Sequence, residues 1–365
     1  MRQNPLPIAA LLILAPLAAG VVLAAGPPRR EPSADVPAEK FYKNIQVFQG
    51  LPSDQLVASM QFMADSLGVK CSYCHVTSKD GPWPMEKDDK AAKNTARGMI
   101  RMMREIDRAN FKGRLDVTCA TCHRGSVDPA SMPPLFSTVA AHPPASEAAA
   151  APSVDAVLER YVSAAGGKDA MAKISSRVIR GTFTAANGES HPIEITLTAS
   201  GKYRSSVTLE KGAFTIAYDG TKGWSSAGQG IRPMPPDEAD RIRARARLFP
   251  ASDLKSRFPA LAVRGKEPID GRDAWIVMAR DAAGGRETFW FDAENGRLLR
   301  TLQRQHTALG DIPEQADYSD YRKVDGVEVP FTIRHTAPDR TDTIKAEEVT
   351  QNVAVDDGLF SAREP

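Results

Sequence analysis

The stretch "KCSYCHV", Lys70–Val76, returns as "TCATCHR", Thr118–Arg124. The chain of 365 residues has four cysteines, and these two motifs use them all. Each pair has two residues between the thiols and a histidine directly behind the second. A disulfide framework is a poor reading, because a folding staple bridges distant segments whereas this spacing closes a small strained ring. Zinc takes four thiolates from paired motifs, but a zinc site gives no reason for a histidine after both pairs. A thioredoxin-like redox pair needs a neighbouring βαβ pattern, which these segments lack. Covalent haem attachment accounts for every position. The two thiols add to the porphyrin vinyl groups, and the following imidazole is placed to bind the iron. The motifs therefore predict two haem c groups, one on Cys71, Cys74 and His75, the other on Cys119, Cys122 and His123.

The start of the chain agrees with that chemistry. "MRQNPLPIAALLILAPLAAGVVLAAG" has one arginine, an apolar run and small residues at its end, the layout of a secretory signal over residues 1–26. Cleavage after Ala24 or Gly26 fits. An uncleaved N-terminal anchor is the alternative, since the run is nearly long enough to span a bilayer. Arg29 and Arg30 on its far side argue against retention. Either way the remainder is expected in the periplasm, soluble or tethered.

Each motif follows a methionine-bearing helical pattern. Of eleven methionines, six fall between Met60 and Met103. Upstream of the first motif, Leu56, Met60, Met63 and Leu67 recur at helical spacing, with Ser53 as N-cap and Gly68 as the stop. Upstream of the second, Ala96, Met99, Met103 and Ile106 form the stripe, with Met102 at its margin. Methionines at helical spacing ordinarily pack a core. Here two irons each lack a second axial ligand, and one methionine per helix is expected to supply it. Lys93, Arg97, Arg101, Arg104 and Arg108 line another face of that helix. They read as a solvated face, or as partners for haem propionates or an acidic protein.

On "MQFMADSLGVKCSYCH", "ARGMIRMMREID" and "DVTCATCHRG", the segment from Phe41 to Pro129 resembles the cytochrome subunit of photosynthetic reaction centres and its shorter exported relatives. The resemblance implies axial methionines from the helix before each motif, at Met60 for the first iron and Met99 for the second, with Met63, Met102 and Met103 as fallbacks. The reaction-centre subunit resembles a doubled version with four haems, and this chain has two motifs.

Asp128 to Ser153 is rich in alanine and proline and reads as a linker over 131–153, with His142 solvated within it. From Val154 an amphipathic helix precedes a series of alternating segments with hairpin signals at "AANGE", "DAAGGR" and "DAENGR". Pro235 to Leu248 is the one helical interruption. The expected fold is therefore α+β. A mostly α dihaem domain occupies 36–130, and an antiparallel half-barrel of nine to eleven strands, with helices, occupies 154–365. The half-barrel resembles outer-membrane lipoprotein-sorting carriers, which implies a lipid or lipoprotein as its ligand, with the arginine-rich helix beside an anionic headgroup. His191, His306 and His335 show no serine, cysteine or acidic partner at a readable spacing. The net charge of +2 supports no nucleic-acid role.

The residues thus predict an exported carrier of single electrons between redox partner proteins. Histidine and methionine on both irons leave no position for a substrate. The alternatives are a peroxidase-like haem enzyme with one open iron, and a lipid- or partner-binding module whose haems sense redox state.

Overall fold

The computed structural model describes residues 32–79, 81–129, 151–227, 230–282 and 285–361. The secretory segment, His142 and all but the end of the expected linker lie outside the described residues. Among the described residues no helix is long and apolar enough to cross a membrane.

The N-terminal part is helical. The helices are α1 (Ala38–Phe41), α2 (Gln55–Leu67), α3 (Ala91–Asn110) and α4 (Cys119–His123), with a 3-10 turn at Cys71–Tyr73 between α2 and α3. Gly68 ends α2 in the left-handed conformation, at φ 66°, as its sequence position suggested. Ser53 does not cap α2. Its hydroxyl donates to the Ser33 carbonyl and accepts from the Ser33 N–H, so it ties down an earlier turn instead. The buried face of α2 is Leu56, Ser59, Phe62 and Ser66, displaced from the methionine stripe. Ser59 and Ser66 donate their hydroxyls to carbonyls one turn back, which lets small polar residues sit in a packed face.

The C-terminal part carries α5 (Val154–Ala164), α6 (Lys168–Ala172), α7 (Pro236–Arg245) and α8 (Leu254–Arg257) on one antiparallel sheet of 13 strands. In chain order the strands are β1 (Ser176–Thr184), β2 (Ser190–Thr198), β3 (Tyr203–Leu209), β4 (Gly212–Tyr218), β5 (Gly223–Ala227), β6 (Ile231–Pro233) and β7 (Ala260–Ile269). They continue with β8 (Arg272–Arg280), β9 (Arg286–Asp292), β10 (Leu298–Thr307), β11 (Gly310–Val324), β12 (Val327–Ala337) and β13 (Arg340–Gln351). Their spatial order is β6-β5-β4-β3-β2-β1-β13-β12-β11-β10-β9-β8-β7. Two meanders thus join where the first strand pairs with the last, and the sheet stays open.

The count exceeds the nine to eleven strands expected, and β6, β7 and β11 account for the excess. β6 and β7 are the two edges of the sheet, where Pro233 and Pro268 cost no ladder bond that a central strand would need. β11, "GDIPEQADYSDYRKV", is poor in strand formers. Its acidic residues are neutralised across the sheet: Asp317 accepts from Arg300 on β10 at 2.5 Å and from Arg334 on β12 at 3.0 Å.

Two apolar cores form under the sheet. Ala239, Ile242, Ala246 and Leu248 from α7 and its C-terminal flank pack against Ile179, Ile195, Leu197, Val329 and Ile344. Val157, Leu158 and Tyr161 of α5 pack against Val277, Phe289, Phe291 and Leu298. The sheet therefore fills much of its hollow with its own helices. A third core links the helical part to the sheet. Leu309 and Ile312, at the β10–β11 hairpin, are buried among Leu56, Phe62, Ile100 and Met103. Gly310 lies beneath the Phe62 ring, where a β-carbon would come within 2.4 Å of it.

Candidate haem sites

The first motif follows directly from the end of α2. The Tyr73 N–H donates to the Lys70 carbonyl at 2.8 Å and the His75 N–H to the Cys71 carbonyl at 3.0 Å, winding Cys71, Cys74 and His75 into one tight turn. The second motif is α4 itself. Thr118 and Thr121 form a reciprocal capping box at its start, and Arg124 ends it with φ 50°. The two motifs meet at the end of α2. The Gly125 N–H donates to the Ser66 carbonyl at 2.8 Å, and the Gly125 carbonyl comes so close to Gly68 that a β-carbon there would clash at 2.3 Å. Gly68 thus serves two needs, a left-handed stop and the close approach of the second motif.

Cys71 and Cys122 are exposed, and Cys74 and Cys119 are half-buried. Burial raises the pKa of Cys74, with Lys90 opposing, and burial likewise raises that of Cys119. Among the described residues no three histidine, cysteine or acidic side chains converge on a common point, so the thiols are not gathered as a zinc site would gather them.

The histidines are oriented alike. His75 Nδ1 lies 3.1 Å from the Met85 carbonyl, and His123 Nδ1 lies 3.0 Å from the Ser126 carbonyl. A carbonyl only accepts, so each Nδ1 carries the proton and each Nε2 is left as a lone-pair donor. This is the outer hydrogen bond that fixes a metal-binding imidazole. Burial, joined by the charges of Lys93, Arg97 and Lys90, lowers the pKa of His75 against the pull of the Met85 carbonyl. The neutral, ligating form is thereby favoured.

Met60 and Met63 are half-buried on α2 and pack against the core that holds Leu56, Phe62 and Ile100, as do Val117 and Cys119. On α3, Met103 is 5% exposed and packs with Ile100, whereas Met99 and Met102 are 44% and 50% exposed. The stripe expected on this helix is therefore divided: Met103 belongs to the core and Met99 to the surface. Eight of the twelve large apolar side chains exposed among the described residues fall between Val57 and Val127. Exposed apolar side chains in the segments around both motifs suit a planar hydrophobic group.

The basic face of α3 is not uniformly solvated. Arg97 is buried and bonds Asp88 at 2.9 Å and Asn94 at 2.7 Å, while Lys93 lies 3.1 Å from Asp88. The Arg97 and Asn44 hydrogen bonds hold the Asp88 carboxyl well below its usual range. Arg104 donates to the Val47 carbonyl at 2.6 Å and lies over the Phe48 ring. These contacts fasten α3 to the loops on either side of the first motif. Asp107, buried on α3, was not singled out by its spacing. It accepts the Val117 N–H at 2.9 Å and so positions the chain entering the second motif.

The three C-terminal histidines do have acidic neighbours, two of them supplied by strand register. His335 lies 3.2 Å from Asp342 and His306 lies 3.0 Å from Asp311, each a directly paired cross-strand couple. His191 lies 3.9 Å from Glu189.

Residues 19–157 match the family model described as the photosynthetic reaction centre cytochrome C subunit. The N-terminal part of the chain is similar to reaction-centre cytochromes. Cytochrome c-554 of Chloroflexus aurantiacus is 33% identical over 90 residues, which make up 23% of this chain and 20% of that protein. The chain thus spans about a fifth of that relative's length. The similarity implies covalently bound haem c with its iron, and a c-type cytochrome segment of the electron-transfer kind. A LolA superfamily protein from Nitrosomonas europaea is 12% identical, with 58% of this chain and 98% of that one covered at a TM-score of 0.40. A DUF1329 family protein from Desulfovibrio piger is 14% identical, with 57% and 97% covered at the same score.

Proposed function

We propose that this chain is an exported dihaem c-type cytochrome that carries single electrons between redox partner proteins at the membrane or in the periplasm. The observation that carries the reading is the matched pair of motif histidines, each donating Nδ1–H to a backbone carbonyl and presenting Nε2. The donor set fits the group. Cys71, Cys74 and His75 would hold one haem, and Cys119, Cys122 and His123 the other. Met60 and Met99 would complete the two irons, and the surface position of Met99 suits that role. When bound, haem c supplies an iron that alternates between two oxidation states.

The protein's own residues do the rest. The Met85 and Ser126 carbonyls hold the imidazoles in one tautomer and one orientation. The partly buried apolar faces of α2 and α3 exclude water. The cation pair Lys93 and Arg97, anchored on Asp88, sets the positive field around the first motif. With two protein ligands to each iron, no coordination position is left for a substrate, which separates a carrier from a peroxidase-like enzyme.

Haem content tests this reading. The purified protein, treated with pyridine and alkali, should give two haems per chain, and both should survive a denaturing gel. One haem per chain would end the dihaem assignment. Rapid carbon monoxide binding to the untouched reduced protein would reveal an open iron and favour the enzyme.

A further inference from the structure

The arginines of α7 and its flank are not free to receive an anionic headgroup. Arg241 and Arg245 pair with Glu314, Arg243 with Asp240 and Arg247 with Asp253. The uncompensated charge lies elsewhere. Arg177 on β1 is 5% exposed and has no carboxylate partner among the described residues. One guanidinium nitrogen donates to the Leu248 carbonyl at 3.0 Å and the other to Gln351 Oε1 at 3.1 Å. Its Nε–H has no acceptor among the described residues. The group also lies over the Phe249 ring, 5.3 Å from the centroid.

A buried guanidinium with neutral partners and an orphan donor costs several kcal/mol that an apolar residue would not. Burial lowers its pKa to about 10, which leaves it charged at neutral pH. It lines a cavity of about 110 Å³ between the sheet and the chain following α7. Ile179, Ile195 and Leu197 form an apolar wall of that cavity, and Tyr318 and Tyr321 stand among its other lining residues. Arg245, Arg247 and Arg297 also line it, but their charges are met by Glu314, Asp253 and Glu328. The cavity therefore combines an apolar wall with one unmatched positive charge.

We propose that this cavity binds a small monocarboxylate, with the carboxylate on the Arg177 guanidinium and an apolar body against Ile179, Ile195 and Leu197. A dry cavity of roughly 150 Å³ accepts the six carbons of benzene, so this one, at about 110 Å³, accommodates a body of about four carbons. A whole long acyl chain exceeds it. A bound carboxylate supplies what the Arg177 guanidinium lacks, an anionic partner in a low-dielectric surround, where such bonds are strongest. The inference is independent of the haem assignment, since none of these residues touches either motif.

Calorimetry on the full-length holoprotein tests it, with pentanoate as the probe. Pentanoate should bind, and 1-pentanol, of similar shape without charge, should bind at least about tenfold more weakly, the loss expected for a hydrogen bond to a charged group. Ile195→Phe fills the cavity without touching the cation and should abolish binding. Arg177→Met should abolish it too, and Arg177→Lys should retain part of it. Pentanol binding as tightly as pentanoate would overturn the role of Arg177. Palmitate binding more tightly than pentanoate would overturn the compact ligand, and no pentanoate binding at millimolar concentration would overturn the site.

Discussion

Met99→Ala and Met103→Ala separate the proposed iron ligand from a core residue on the same helix, one turn apart. Met103 is 5% exposed, with Ile100, Phe62 and Leu56 in the same core. Truncating a buried methionine removes its transfer free energy and leaves a cavity, about 2–5 kcal/mol in total. Met99 is 44% exposed, so little more than half of its surface is covered by protein. Full burial of such a side chain contributes about 1.5–3 kcal/mol, so about half of that, near 1 kcal/mol, is expected for Met99. Guanidinium denaturation followed by far-ultraviolet circular dichroism should therefore show Met103→Ala as the more destabilised variant. The visible spectrum should show the reverse order. Met99→Ala should lose the thioether-to-iron absorption of one haem and lower one reduction potential, because methionine ligation raises it. Met103→Ala should keep both haem signatures. If Met103→Ala or Met102→Ala abolished the absorption while Met99→Ala preserved it, the ligand assignment would be refuted. A loss below about 1 kcal/mol for Met103→Ala would refute the burial argument itself.

Cys71→Ala should weaken covalent attachment of the first haem alone, and Cys119→Ala that of the second, read as haem stain on a denaturing gel. Leu309→Ala, at a side chain with no exposed surface where the β10–β11 hairpin enters the helical core, should cost about 2–5 kcal/mol in denaturant titration; a loss below 1 kcal/mol would mean that the hairpin does not support that core. The largely buried His335 has its pKa lowered, by burial first and then by Arg245, against the pull of Asp342. The unfolded chain therefore takes up this proton at a higher pH than the folded one. Stability should fall as pH drops below about 6.5, at no more than about 1.4 kcal/mol per pH unit from this site. His335→Gln should flatten that part of the profile, and an unchanged slope would assign the dependence to other groups.

The residues proposed to bear haem stand together in the sequence because covalent attachment is a local requirement. Two thiols and an imidazole must lie within one turn, so their spacing is written contiguously in "CSYCH" and "CATCH". The α+β class and the hairpin turns at Asn187-Gly188 and Asn295-Gly296 were legible for a similar reason, since turn chemistry and alternation are short-range properties. The tertiary structure decided what depends on partners distant in sequence. Helical period places Met99 and Met103 on one stripe, but only packing beneath the β10–β11 hairpin makes one core and leaves the other at the surface. β11 is poor in strand formers, and only strand pairing brings Arg300 and Arg334 alongside to compensate Asp317. The acidic partners of His306 and His335 come from strand register. Arg177 looks like an ordinary strand arginine, yet the fold brings it against Leu248 and Gln351 and gives it no carboxylate. Charge compensation and burial act through space between residues far apart in the chain, and periodicity along the chain carries no record of them.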